Sequence, residues 1–434
     1  MHAALGLGAA FAPLTAASET PAVGAFAALD REMQRLVADG KRAGIVYGVM
    51  QHGQLMVLEA HGLRDIEKNL PMQTDSVFRL YSQSRAVTAA AILTLVDAGQ
   101  LSLDAPVARY LPEIGAMRVI SALRGATVAQ TEPQRRPMTV RQLFNYTSGL
   151  GYAADWPAGA AMRQRDILRL DGTLAEMITK LSAYPLLYQP GQRWVYGFHS
   201  DVLGRIAEVV SGQSFDVFLD ERLLAPIGMR DTGFFVRAGQ VDRLAAVYGP
   251  DSNGRLAPRP AVASSSYTQR DTLFSAGGGL VSTVPDYLRF GQMLLNGGAI
   301  DNLRVLRAST VRAMTRNALT PVQGGEVNWY RYQPAALFRG YGWGLGIGVR
   351  LPDRVHTVPG SDGDLAWGGL ASTTYFIDPK EQIVAVAMSQ YLGPGVDDLG
   401  FILREGVYAG LCAQSGAAKP CDRTQSATPS RAGR

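Results

Sequence analysis

Lysine is scarce in this chain: five in 434 residues, at Lys41, Lys68, Lys180, Lys380 and Lys419. None of them stands three residues after a serine; Ala38, Asp65, Met177, Ile377 and Gly416 hold that spacing instead. Histidine is as sparse, and His2, His52, His61, His199 and His356 show no metal-ligand spacing, so neither a metal nor another cofactor is expected. No Gly-x-Ser-x-Gly elbow occurs, which excludes the strand-to-helix nucleophile of one large hydrolase class. Gly277-Gly278-Gly279 does not follow a strand in a phosphate-loop pattern, which argues against a nucleotide site. Beyond the N-terminus no apolar run reaches the roughly 18 residues of a membrane span. The net charge of +5 is small and the arginines are scattered without interleaved aromatics, which argues against nucleic acid. What remains is a small-molecule substrate. No pattern in the chain specifies an oligomeric state.

Cysteine is nearly absent too. Cys412 and Cys421 lie close together with glycine and proline between them, a short loop if oxidised and two free thiols in a cytosol. Ala3 to Ala17 is small and apolar and ends in Thr15-Ala16-Ala17-Ser18, similar to a signal-peptide core and cleavage site, although a basic n-region is missing. Residues 1–20 are read as a signal segment. Together the two features favour a periplasmic or secreted protein over a cytoplasmic one.

What the chain does have is apolar residue, 47% against 18% charged, enough for a large core. Its length suits about two or three domains. Phe26, Leu29, Met33 and Leu36 recur at helical spacing within 25–43. The runs 45–50 and 55–61 are β-rich and flank the hairpin signal Gln51-His52-Gly53-Gln54. A strongly helical stretch runs from Ser82 to Ala98 and stops at Gly99. From about 110 to 270 strand patterning is lost, and helices at 140–146, 174–181, 199–210 and 214–224 alternate with Gly/Pro-rich loops. A helix over 285–296 follows the glycine run, then strands at 341–350, 371–378 and 383–389, and a last helix at 397–411. Strands at both ends with a helical middle predict one α/β lobe from 24–110 and 275–412, an inserted helical lobe at 111–274, and a flexible tail at 413–434. Their junction is the natural place for a site.

Ser82-Gln83-Ser84-Arg85 carries the chemistry-bearing spacing. Residues three apart on a helix share a face, so a cation at Arg85 can lie beside the Ser82 hydroxyl. A serine at a helix start is often only an N-cap. As a nucleophile it would offer an exposed hydroxyl and its own N–H at the positive end of the helix. Arginine keeps a lysine's charge and loses its ability to accept a proton at ordinary pH.

Further stretches follow in order: Tyr146-Thr147-Ser148-Gly149-Leu150, Tyr188-Gln189-Pro190-Gly191 before Trp194-Val195-Tyr196-Gly197-Phe198, Pro226-Ile227-Gly228-Met229, Ser275-Ala276-Gly277-Gly278-Gly279-Leu280, and Trp367-Gly368-Gly369-Leu370. Over roughly 25 to 410 this succession resembles the class C β-lactamases, penicillin-binding proteins and family VIII carboxylesterases, with Ser-x-x-Arg where they carry Ser-x-x-Lys. The resemblance implies an α+β, β-lactamase/transpeptidase-like fold, an antiparallel sheet flanked by helices plus an inserted, mainly helical lobe. It implies Ser82 as nucleophile, Tyr196 as the second-motif tyrosine, and Trp367, Gly368 and Gly369 as the third motif. Backbone N–H groups of Ser82 and Leu370 would hold the oxyanion. Phe198 stands where lactamases carry asparagine, no lysine precedes the glycines of the third motif, and Tyr146 replaces a common histidine. Those departures argue against β-lactam hydrolysis. Tyr152, Trp156 and Trp343 are candidates to line an apolar acyl pocket.

The resulting expectation is a serine hydrolase that cleaves a carboxylic ester through an acyl-enzyme, or transfers the acyl group to another alcohol or an amine. Tyr196 would act as base, its proton affinity lowered by Arg85. Two alternatives stand beside it. One is proton abstraction or C–C bond cleavage by Tyr196 and Arg85 without Ser82; the other is a catalytically silent binding protein. Arg85 could also fill the space or clamp a substrate carboxylate bidentately.

Overall fold

Runs of β-branched and aromatic residues from the two ends of the chain meet in one sheet. The computed structural model describes residues 24–414 apart from 126, 153–154, 156–166, 170, 260–266, 271, 324–335, 353 and 397. Eight strands line up in the order Tyr341–Trp343, Gly348–Arg350, Leu365–Gly369, Thr373–Asp378, Ile383–Met388, Gly44–Gln51, Gln54–Asp65 and Leu70–Pro71. Every neighbouring pair is antiparallel. The two chain ends join where Gly44–Gln51 pairs with Ile383–Met388, with Val46 opposite Met388 and Tyr47 opposite Ala387.

Both faces of that junction are covered, and adjacent residues show how, because side chains alternate across a strand. Tyr47 donates its hydroxyl to Asp30 Oδ1 (2.8 Å) on helix Ala27–Ala38. Gly48, pointing the other way, lets helix Val284–Leu295 approach; a Cβ there would lie 2.8 Å from Leu288 Cδ1. Helix Asp398–Gln414 packs beside Ala27–Ala38 and against the strands Thr373–Asp378 and Ile383–Met388. The architecture is the expected antiparallel sheet flanked by helices.

Helix Ser84–Asp97 is buried without a break from Ser84 to Leu95 and lies against helix His199–Ser211. Its helical hydrogen bonds satisfy the backbone while small apolar side chains fill the space around it, so no polar face is needed. The α-helix begins at Ser84 rather than Ser82; Tyr81–Gln83 form a 3-10 turn. Neighbouring bonds hold that turn in place. Ser84 Oγ accepts from Leu280 N (3.2 Å), Leu80 N donates to Leu280 O (2.8 Å), and Phe78–Arg79 pairs with Val281–Ser282.

Three expectations need correction. The stretch 341–350 is not one strand but two antiparallel ones, since Gly344 and Gly346 allow a turn; Gly346 has φ +87° and a Cβ at Gly344 would meet Met314 O at 2.0 Å. The middle region is not free of strands: Val119–Arg124 pairs with Thr127–Glu132, and Tyr248–Pro250 with Leu256–Pro258. The first hairpin is largely exposed or half-exposed and so lacks the apolar alternation that announces a strand; the second, with Tyr248 and Gly249 buried, has strands of only three residues, too short to show one. The helix at 214–224 starts at Phe215 and passes into a π turn at Asp220–Leu224 ahead of Pro226, which has no N–H to donate.

Candidate active site

The 3-10 turn Tyr81–Gln83 presents Ser82 partly exposed, whereas Gln83, Ser84 and Arg85 are buried. Tyr81 takes φ +46°, a left-handed backbone for a bulky residue, immediately before Ser82. Such conformations persist only where their surroundings hold them, and they gather at functional sites.

The third motif lies directly against this turn. Strand Leu365–Gly369 packs on Tyr81–Gln83, and a Cβ at Gly369 would stand 2.1 Å from Leu80 O. Only glycine permits that approach. Thr373 Oγ1, across the hairpin from Gly369, donates to the same Leu80 carbonyl at 3.3 Å. Leu370 follows the glycines with half its surface exposed.

The second motif closes the group. Trp367 Nε1 donates to Tyr196 Oη at 3.1 Å, which ties the tyrosine of one motif to the indole of the other. Gly197 is required by the backbone of Gly151, whose atoms would lie within 2.7 Å of a Cβ. Phe198 is fully buried and meets the Tyr152 ring edge-on at 4.9 Å.

Arg85 lies at the centre and is fully buried. Its Nη1 donates to Tyr146 Oη (2.8 Å), Ser200 Oγ (3.2 Å) and Gly197 O (3.3 Å), and its Nη2 to Tyr152 Oη. Its Cζ stands 4.3 Å from the ring centroid of Tyr196, a cation-π contact. Burial alone would lower its pKa, but Tyr146, Tyr152, Tyr196 and Asp201 hold it well above the ordinary arginine value. Arg85 is therefore a permanent cation. Its Nε has no partner among the described residues, but with no exposed surface Arg85 presents no face to a substrate carboxylate, which corrects that expectation.

Burial shifts the surrounding groups toward their neutral forms. Burial pushes the Tyr146 phenol up to about 12 against the opposing pull of Arg85, and burial likewise raises Tyr152. Burial, then Arg85, pushes His199 down to about 3, against the pull of the Gly197 backbone, and its ring stacks on Tyr146 at 4.5 Å. Asp201 is also raised by burial, although the Ser275 hydroxyl (2.6 Å), Arg85 and Gly277 N–H (3.1 Å) work the other way.

Of the residues singled out in the sequence, the structure gathers Ser82, Arg85, Tyr196, Phe198, Tyr152, Trp367, Gly368, Gly369 and Leu370 in one region. Trp343 is fully buried behind it, edge-on to Trp367 at 4.6 Å and donating its indole N–H to Phe144 O at 3.2 Å. Trp156 lies outside the described residues. Sequence reasoning missed the parts played by Tyr146, Ser200 and Asp201. Tyr146 was visible only as a replacement, yet it joins Arg85 and Ser200, its hydroxyl 2.6 Å from Ser200 Oγ. Ser200 lies in the first turn of helix His199–Ser211 while Tyr196 precedes that helix, so no helical spacing linked the two. Among the described residues no cluster of His, Cys, Asp or Glu could hold a metal ion, and no helix is long and apolar enough to cross a membrane.

The family model Beta-lactamase matches residues 29–405. The chain belongs to the Beta-lactamase family. Protein Rv1367c of Mycobacterium tuberculosis (strain ATCC 25618 / H37Rv) is 34% identical over 355 residues, 81% of this chain and 86% of that protein. Esterase EstB of Burkholderia gladioli is 29% identical over 430 residues, 91% of this chain and 100% of that one. Among solved structures, unliganded simvastatin synthase from Aspergillus terreus superimposes with a TM-score of 0.74 at 25% identity, covering 89% of this chain and 99% of that chain. Within the Beta-lactamase family, the relatives of this chain thus include esterases and acyltransferases.

Proposed function

We propose that this protein cleaves a carboxylic ester, or transfers its acyl group, through an acyl-enzyme on Ser82. The observation that carries the reading is the convergence of three motifs: Gly369 against Leu80, two residues before Ser82, and Trp367 bonded to Tyr196. The esterase and acyltransferase relatives support the same class of reaction.

In this reaction Tyr196 enters as its phenolate, and as Ser82 Oγ attacks the ester carbonyl Tyr196 Oη takes the serine proton. The N–H groups of Ser82 and Leu370 hold the oxyanion. Collapse breaks the bond to the leaving alkoxide, which receives the proton back from Tyr196. Water, or a second alcohol or amine, then repeats the sequence on the acyl-serine. An indole N–H can only donate, so Trp367 holds Tyr196 Oη in place as an acceptor. Arg85 moves no proton; it holds Tyr146 and Tyr152 by hydrogen bonds and supports the Tyr196 ring from its face.

A panel of p-nitrophenyl esters of differing chain length, with nitrocefin alongside, tests the activity, and a fluorophosphonate probe followed by peptide mass spectrometry tests the nucleophile. Ester turnover with labelling at Ser82 and no nitrocefin cleavage is expected; labelling at another serine overturns the assignment. The permanent charge of Arg85 in place of a lysine amine favours a second reading, proton abstraction or C–C cleavage by Tyr196. In that case Ser82→Ala retains turnover of the true substrate. We also place the protein in an oxidising compartment, periplasmic or secreted, since Cys412 is disulfide-bonded. Thiol titration of the denatured protein before and after reduction checks this; free thiols in freshly isolated protein would contradict it.

A further inference from the structure

Away from the site, one buried charge cluster is left incomplete by its own hydrogen bonds. Arg404, on helix Asp398–Gln414, donates to Asp364 Oδ2 (2.9 Å) and Oδ1 (3.1 Å), to Tyr341 Oη (2.6 Å) and to Pro359 O (3.2 Å). Tyr341 in turn donates its hydroxyl to Asp364. The single carboxylate is thus committed to Arg404 and Tyr341. Arg350, at the end of strand Gly348–Arg350, is 2% exposed, and its Nε lies 4.0 Å from Asp364 Oδ2, too far for a hydrogen bond. Its buried Nε and Nη1 have no partner among the described residues.

Among the described residues, two guanidinium groups therefore face one carboxylate. His356 stands beside them: burial, then Arg350, holds its pKa below the ordinary value, while the carbonyls of Leu351 (2.9 Å) and Arg339 (3.0 Å) at its two ring nitrogens work the other way. Gly360 contributes no side chain here; a Cβ would lie 2.3 Å from Asp364 Oδ2, 2.9 Å from Arg350 Nη1 and 3.0 Å from Arg404 Nη1. A buried cation with unmet donors is strongly disfavoured unless an anion or another acceptor meets it.

We infer that Arg350 holds a small inorganic anion, of the size of chloride, in the interior beside the Arg404–Asp364 pair. The anion neutralises the surplus charge and accepts from the guanidinium donors that the protein leaves unmet. Residues 351–364 connect Arg350 to the strand bearing Trp367, so the bound ion braces the loop that enters the third motif.

The test is thermal melting of the full chain at fixed ionic strength, with sodium chloride exchanged against sodium gluconate, whose anion is too large to enter. A saturable rise in Tm of roughly 2–4 °C with chloride is expected. Arg350→Met, which keeps the length and removes the charge, is expected to lose that dependence. A bromide-soaked crystal of the unaltered protein supplies an arm that needs no variant: an anomalous peak beside Arg350 Nε or Nη1 supports the inference. An ordered water there without anomalous signal, a Tm indifferent to chloride, or an equal response in the variant overturns it.

Discussion

The guanidinium of Arg85 lies 4.3 Å from the ring centroid of Tyr196, yet its hydrogen bonds go to Tyr146, Tyr152, Ser200 and Gly197. The cation supports the tyrosine's face instead of bonding its hydroxyl, and Trp367 bonds that hydroxyl instead. An arginine at this position is therefore a structural centre as well as a charge.

Removing the Tyr196 hydroxyl separates chemistry from packing. Tyr196→Phe keeps the ring over Arg85 and loses the proton acceptor, so kcat is expected to fall about 10²- to 10⁴-fold. Stability should drop by only about 1–2 kcal/mol for the indole N–H left unpaired. An unchanged kcat on the best ester would eliminate Tyr196 as the base.

Arg85→Lys tests the fork. One ammonium cannot reach Tyr146, Tyr152, Ser200 and Gly197 O together, because lysine is a point charge and not a planar fork. Denaturant unfolding should show a loss of roughly 2–4 kcal/mol. A gain in ester turnover despite that loss would indicate that the natural arginine serves another reaction.

Gly369→Ala places a Cβ where Leu80 O stands 2.1 Å away. The strand must withdraw from the Ser82 turn, and a displacement of that size costs on the order of 10²-fold in kcat/KM. Circular dichroism should remain that of the native fold. Wild-type kcat/KM in this variant would show that the strand and the turn need not touch.

Asp286 makes stability depend on pH. Burial pushes its carboxyl up to about 6 from 3.8, against the Thr232 hydroxyl and the Asp231 N–H, both at 2.8 Å. Between those values the folded chain keeps a proton that the unfolded chain has released. Stability from this group is therefore greatest below about pH 4 and declines as pH rises to about 6, by about 3 kcal/mol in all. Urea unfolding across that range should show a steeper decline in the native protein than in Asp286→Asn.

Much of the fold is legible in the chain because its signals are local. The stripe Leu29, Met33 and Leu36 announces helix Ala27–Ala38, and His52-Gly53, with φ +48° and +77°, announces the hairpin between Gly44–Gln51 and Gln54–Asp65. The exposed hairpin Val119–Arg124 with Thr127–Glu132 was not legible, since an element with little buried surface leaves little periodicity. Two parts of the site, the Ser82 turn and Trp367-Gly368-Gly369, were legible as spacings. Asp201 was not, because its partners Ser275 and Gly277 are more than 70 positions away.

The sequence by itself determined the kinds of element, their order, and the three short motifs, for each of these is written in residues a few positions apart. Only tertiary structure decided how Arg85 is used. Its partners Tyr146 and Ser200 lie 61 and 115 positions along the chain, and the burial that shifts Tyr146, Tyr152, His199 and Asp201 exists only once those segments have closed over it.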